Sequence, residues 1–356
     1  MAAAVDTAPA LPTIIASTST STSTSSRAEL PLIRANEGDY VDPTSVGWLH
    51  ASTPDTPMEE LRARFQRDGY VWIKGLIPRK DVLDMREHYF SDLACTGILA
   101  PGTSPREGIF NAATENPLHH SGVGASDLPS EQEKVDLLAA AHVSDAYLSF
   151  LRHPALRKFI REFTGWAKEA MVRRTILRHN VPHGLSTGIH YDKIFLRAGE
   201  ADFLTAWVPI GDCSAVGGGL LYLEGSSPLG REIEEDFTRR AAEFTYEERI
   251  NAFNVHMTKS GSIAQDAELF AREVEQRGSN KSTVSDGVKG KRPRWLVGNY
   301  EAGDVVFHDP YMIHGAGRNE DKNGRIRLSS DLRFYAEGAA ADERWMKVPW
   351  APNDGL

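Results

Sequence analysis

"GIHYDKIFLRAGEADFLTAWVPIGDCSAVGGGLLYLEGSS" occupies residues 188–227, and its rhythm decides the fold class. Short apolar runs, "GIHYDKIFL" (188–196), "DFLTAWVPIGD" (202–212) and "GGGLLYLEGSS" (217–227), are divided by Gly, Asp and Ser clusters. Runs this short between turn residues read as strands. The same rhythm opens upstream in "AMVRRTILRHNV" (170–181) and returns in "RWLVGNY" (294–300), "GDVVFHD" (303–309) and "IRLSSDLRFY" (326–335). Many short strands separated by turns predict a mainly β domain, a sandwich or a barrel.

Helices flank it. Residues 56–93 predict helix–strand–helix: Leu61 and Phe65 recur at helical spacing, Asp68-Gly69 stops the first helix, "YVWIKGL" is a strand, and Pro78 opens a second helix ending near Leu93. Residues 131–169 read as further N-terminal helices, and 94–130 as a long loop. The charged pattern of 228–280 reads as a helical insertion between strands. With the polar, basic loop that follows, residues 228–295 are expected to form a lid-like insertion. No internal repeat is visible. The domain expectation is one catalytic domain over 36–356 after a disordered tail, residues 1–35, where "STSTSTSTSS" (17–26) cannot bury apolar surface.

Composition narrows the function. A formal charge of −9 argues against a nucleic-acid partner. Two cysteines, Cys95 and Cys213, are too few for a disulfide framework or a thiolate zinc site. No apolar run reaches the ~18 residues a membrane span needs, and neither a leader peptide nor a Ser-Lys-Leu type address is recognised. The expected setting is cytoplasmic, with a small-molecule substrate; the oligomeric state is not set by the sequence, a homodimer being one outcome.

Two residues apart on an extended strand, side chains share a face, so His190 and Asp192 can converge on one point. A histidine from a distant strand would complete a two-histidine, one-carboxylate set, the arrangement that holds non-heme iron(II) while leaving positions open. His308 and His314 are the candidates. His314 stands beside small residues where close approach is easy, whereas His308 sits in an apolar run and reads as a core residue or one that hydrogen-bonds the ligands. Eleven residues past His314 stands Arg325, with Arg327 and Ser329 at the same strand parity. An inward arginine there suits the distal carboxylate of a 2-oxoglutarate cosubstrate, gripped by a bidentate fork; Arg325 is preferred for its spacing, with Ser329 assisting.

Through "FQRDGYVWIKGLIP", "HNVPHGLSTGIHYD", "TAWVPIGDCSAVGGGLLYLEGSS" and "GDVVFHDPYMIHGAGRNEDKNGRIRLS", the chain resembles the phytanoyl-CoA dioxygenase-like iron(II)/2-oxoglutarate oxygenases over most of residues 60–335. The resemblance implies a double-stranded β-helix (jelly roll, cupin-like) with helices packed against one sheet. It implies Fe(II) on His190, Asp192 and His314, 2-oxoglutarate on Arg325, Trp207 near the cosubstrate, and O2 as the oxidant. Oxidative decarboxylation to succinate and CO2 would then be coupled to hydrogen abstraction from substrate, ending in hydroxylation or in desaturation, epoxidation or cyclisation. Asp192, in place of Gly or Ala, argues against a halogenase. One departure is visible: the family's Gly-Ser-His is here Gly225-Ser226-Ser227.

The expected function is therefore a dioxygenase of a small organic molecule in specialised, natural-product metabolism. The alternatives are a fatty acyl or CoA-thioester hydroxylase, which would want an apolar tunnel with a basic mouth, and a catalytically silent jelly-roll binding protein. Of the remaining charged residues, Lys193 is expected to point away from the triad. One inward member of Arg173, Arg174 and Arg178 is a candidate grip for an acidic group, and His119-His120 lies in a loop that could cover the site.

Overall fold

The computed structural model describes residues 30–124, 128–252, 262–280, 292–352 and 354. The lead-in holds β1 (Val46–Trp48), β2 (Ala51–Ser52), α1 (Met58–Asp68), β3 (Tyr70–Ile73), α2 (Arg79–Leu93), α3 (Gln132–Val143), α4 (Asp145–Phe150) and α5 (Pro154–Thr164). Next come β4 (Glu169–Met171), β5 (Ile176–Asn180), β6 (Leu204–Pro209) and β7 (Leu220–Leu223), then the inserted helices α6 (Ser227–Arg240), α7 (Tyr246–Ala252) and α8 (Ala267–Asn280). The chain closes with β8 (Trp295–Val297), β9 (Val305–His308), β10 (His314–Ala316), β11 (Arg327–Ala336) and α9 (Glu343–Lys347). Helix α1 stops where its sequence says: Gly69 takes φ 78°, the left-handed conformation glycine adopts without strain, and its N–H caps the Phe65 carbonyl.

The strands form two sheets. The larger runs β2-β3-β9-β6-β11-β4, with β5 also paired to β11; the smaller runs β1-β8-β7-β10. Alternation along each strand divides the core into layers. From the large sheet, Val71, Ile73, Val305, Phe307, Leu204, Ala206, Val208, Leu328, Leu332 and Phe334 meet α1–α5 on one side. Tyr70, Trp72, Trp207 and Val306 turn the other way, against Tyr222, Leu220 and Leu296 of the small sheet. Facing sheets with helices on one flank realise the jelly-roll expectation, without a closed barrel. Among the described residues no helix is long and apolar enough to cross a membrane.

The outer face of the small sheet explains the insertion. Leu221, Leu223, Trp295 and Val297 point outward there and are covered by Ala267, Phe270 and Ala271 of α8 together with Ile33, Ala35 and Val41. In its described part, then, the 228–295 segment supports the back of the small sheet; residues 253–261 and 281–291 lie outside the described residues. The tail boundary needs correcting. Residues 1–29 lie outside the described residues, but Ile33 and Ala35, expected in the tail, are buried because this apolar face needs a cover.

Two strand expectations also change. Residues 170–181 break into β4 and β5, because the Arg174 N–H leaves the sheet to donate to the Trp345 carbonyl (3.0 Å). Residues 188–196 are extended only through Tyr191 (φ −127°, ψ 146°), and Asp192–Ile194 form a 3₁₀ turn.

Candidate active site

The two histidines are brought together by sheet register. His190 and His314 face each other in an antiparallel bridge, each N–H donating to the other's carbonyl at 2.8 and 2.9 Å. Directly opposed residues project to the same side, and the two imidazole centroids lie 4.3 Å apart. Gly315 keeps the backbones this close, since a Cβ there would sit 3.3 Å from Ile189 Cα. Each ring is oriented by its own loop. His190 Nδ1–H donates to the Gly188 carbonyl and His314 Nδ1–H to the Met312 carbonyl, both at 2.8 Å. That fixes the tautomer and leaves both Nε2 lone pairs free. Burial holds both imidazoles below the usual histidine range, His314 well below, so both are neutral at neutral pH, the form in which an imidazole can serve as a ligand.

Asp192 follows the extended Tyr191 at the start of the 3₁₀ turn, and its carboxylate rises beside the rings, Oδ1 3.7 Å from His190 Nε2. Ligand atoms of His190, Asp192 and His314 all fall within 4.8 Å of one another, and all three residues are buried. Three groups fix the carboxylate: Arg333 Nη2 donates to Oδ1 (2.8 Å), Thr205 Oγ1 to Oδ2 (2.6 Å) and His308 Nε2 to Oδ2 (3.3 Å). Burial raises the Asp192 pKa, but the Arg333 guanidinium and the His308 hydrogen bond outweigh it and hold the carboxyl well below its usual range. His308 is in turn positioned by Tyr222, whose hydroxyl lies 3.2 Å from Nδ1. His308 thus supports a ligand and is outside the triad.

Strand β11 presents Arg327, Ser329, Asp331 and Arg333 to the space between the sheets. Arg327 is buried; its Nε donates to the Gly218 carbonyl (2.9 Å) and Nη1 to Ser329 Oγ (2.8 Å), while Nη2 has no acceptor. Arg325 shares this parity but lies ahead of the strand. Its backbone bridges to Ile109, it is only half-buried, and its charge is felt by Arg86 and Asp212. The preference for Arg325 is therefore not what the structure favours: the ladder begins at Arg327, and burial follows the ladder. Arg178 of β5 lies opposite Ser329 and faces the same side. Its Nη1 donates to Thr187 Oγ1, and Nη2 stands 3.8 Å from Asp331 Oδ2.

The other sequence candidates have structural places. Trp207 is buried in the inter-sheet core, edge-on to Tyr300 at 4.7 Å. Lys193 turns away from the triad, its Nζ donating to the carbonyls of Gly199 (2.9 Å) and Ala201 (3.0 Å). Arg173 is exposed and Arg174 pairs with Asp354. His119 is exposed; His120 packs edge-on to Phe110, and its carbonyl accepts from His179 Nε2 at 2.9 Å. In the divergent Gly225-Ser226-Ser227 turn, Ser226 Oγ accepts the N–H of Ile313, next to His314, at 2.9 Å. Sequence reasoning missed Arg333, Thr205 and Asp331; strand parity with Arg327, Ser329 and Trp207 was the signal available for each.

These residues fit a divalent transition metal: two neutral imidazole nitrogens and one ionised carboxylate on one side, with no fourth protein ligand among the described residues. They also fit a dicarboxylate, since Arg327 keeps a buried donor without an acceptor. A family model described as phytanoyl-CoA dioxygenase matches residues 65–327. No curated protein matches the sequence. Among solved structures, the fold is similar to the epimerase SnoN in complex with Fe3+, alpha ketoglutarate and nogalamycin RO (16% identity, TM-score 0.45, covering 80% of this chain and 85% of that one). It is similar to the alpha ketoglutarate-dependent carbocyclase SnoK from nogalamycin biosynthesis (18%, 0.45, 80% and 87%). A third likeness is HygX from Streptomyces hygroscopicus with nickel and 2-oxoglutarate bound (15%, 0.41, 78% and 87%).

Proposed function

The chain belongs to the phytanoyl-CoA dioxygenase family, and on that premise we propose that it is a non-heme iron(II)- and 2-oxoglutarate-dependent dioxygenase of a small, polar organic molecule, of the kind handled in specialised metabolism. The observation that carries this reading is the buried His190–Asp192–His314 cluster with both imidazole Nε2 atoms left free by their Nδ1 hydrogen bonds. Bound there, the iron and its cosubstrate would supply dioxygen activation.

The chain's own residues do the rest. His190, His314 and one Asp192 oxygen would hold the metal from one side, leaving the opposite side for cosubstrate, dioxygen and substrate. Arg327, paired to Ser329 at 2.8 Å, would take the distal carboxylate of 2-oxoglutarate on its free donor. Thr205, Arg333 and His308 keep the Asp192 carboxylate ionised and in one orientation. The sheets exclude bulk water, which strengthens each of these interactions.

A polar substrate is favoured over a fatty acyl chain because Arg178, Arg327, Asp331 and Arg333 stand on the triad's side of the large sheet, with Arg178 and Arg333 close enough for their charges to act on His190. The test is succinate formation from 2-oxoglutarate by the purified protein with Fe(II) and ascorbate. His190→Ala and Asp192→Ala should abolish it. Failure of the unaltered protein to bind either Fe(II) or 2-oxoglutarate would sink the proposal and leave the silent binding protein.

A further inference from the structure

The space between the sheets carries more positive charge than metal and cosubstrate use. Among the described residues, the carboxylates whose charge bears on Arg178, Arg327 and Arg333 there are Asp192 and Asp331. On the reading above, the two charges of Fe(II) and the two of 2-oxoglutarate cancel. One guanidinium charge therefore remains, in surroundings where an unpaired charge is costly.

The residual charge can be located by what each arginine already does. Arg333 is committed to Asp192 through Nη2 at 2.8 Å, its Nε and Nη1 being without acceptors among the described residues, and Arg327 lies against Ser329 with one donor left for the cosubstrate. Arg178 is the one left with neither a hydrogen-bonded carboxylate nor a role toward the cosubstrate. Among the described residues its nearest carboxylate oxygen, Asp331 Oδ2, is 3.8 Å from Nη2, beyond hydrogen-bond length, and its buried Nε has no acceptor there. Its one side-chain bond goes to the neutral hydroxyl of Thr187. Gly124 leaves the space this head group fills, for a Cβ there would lie 2.4 Å from Nη2. A guanidinium held on the inward face of β5 by a glycine and a hydroxyl, with an idle donor, is a built anion grip.

We infer that the substrate is a monoanionic carboxylate and that Arg178 is the residue that grips it; the inference rests on the dioxygenase reading above and names its substrate class. A carboxylate matches the single surplus charge and the guanidinium fork. A phosphate monoester, with a charge of about −1.5 to −2, would overshoot it.

The test uses the full chain loaded with Ni(II) and saturating 2-oxoglutarate, so that binding is read without turnover. Ligand-observed NMR then compares a set of small carboxylates, each with its own primary amide. The expected result is that carboxylates bind and their amides bind roughly ten- to hundredfold more weakly, the range for losing a charged hydrogen bond. Arg178→Gln should erase that preference and leave 2-oxoglutarate affinity unchanged, while Arg178→Lys, which keeps the charge, should retain part of it and serves if the Gln variant does not fold. Amides binding as tightly as carboxylates, or a set in which no carboxylate binds, overturns the inference. So does loss of 2-oxoglutarate from a folded Arg178→Gln protein, which would give Arg178 to the cosubstrate. Failure of the unaltered protein to take up 2-oxoglutarate is a different result, and it sinks the dioxygenase reading itself.

Discussion

Replacing Arg333 with Met is the sharpest probe of how this site is held, because the substitution keeps much of the side-chain volume and removes the charge facing Asp192. Both partners are buried, and their contact is 2.8 Å. Removing one member of such a pair leaves the other charge uncompensated and costs about 3–5 kcal/mol. The sign follows from Asp192, whose carboxyl is held well below its ordinary value although burial alone would raise it. A depressed carboxylate contributes stability above its unfolded pKa and loses it as pH falls through the folded value. The penalty of Arg333→Met is therefore full at neutral pH and fades in acid.

At ~2.1 cal/mol/K of unfolding entropy per residue, a chain of this length shifts by ~1.3 °C per kcal/mol, so the metal-free variant should melt roughly 4–7 °C below the unaltered protein. A divalent cation on the triad compensates the same carboxylate. Adding Ni(II) should therefore raise the melting temperature of Arg333→Met more than that of the unaltered protein, and Arg333→Lys should lie between. Differential scanning fluorimetry at neutral pH with and without Ni(II) reads all of this. A metal-free Arg333→Met that melts with the unaltered protein would refute the view that Asp192 depends on this arginine.

Three other perturbations address separate parts. Arg327→Gln should weaken 2-oxoglutarate binding by roughly a hundredfold in a calorimetric titration, the loss of a charge-assisted grip, whereas Arg325→Ala should leave it unchanged; the reverse pattern would move the anchor back to Arg325. Thr205→Val removes the 2.6 Å bond to Asp192 Oδ2 and should weaken metal binding about tenfold or more against a competing chelator; unaltered affinity would mean that Thr205 does not orient the ligand. Burial lowers His142 and His179 to about 4, and His142 Nε2 accepts the Leu177 N–H at 2.9 Å, a bond that protonation breaks. Because the unfolded chain takes these protons near pH 6.5, stability is full above that pH and falls toward pH 4, by about 2 kcal/mol per histidine at pH 5; urea midpoints equal at pH 7.5 and pH 5 would count against it.

What the chain discloses in one dimension is what neighbours along it can settle. His190 and Asp192 stand two apart with one extended residue between them, and that survives the 3₁₀ turn because Tyr191 alone must be extended. The helices at 58–68 and 79–93 carry their own stops and starts. The union of His190 with His314 is different, since it depends on a register between segments far apart in the chain. Arg333 shows why parity was hard to use. In "RLSSDLRF" polar residues alternate with apolar ones except at Ser330, a pattern that ordinarily marks a strand with one wet face. Here the polar face is the one turned toward the candidate site: Leu328, Leu332 and Phe334 pack on the helices while Arg327, Ser329, Asp331 and Arg333 are buried between the sheets. A strand buried on both sides can carry four polar residues in a row of alternate positions only if each finds a partner or awaits one. Arg333 has Asp192, Ser329 has Arg327, and the charge still unmatched is the one that a substrate must bring.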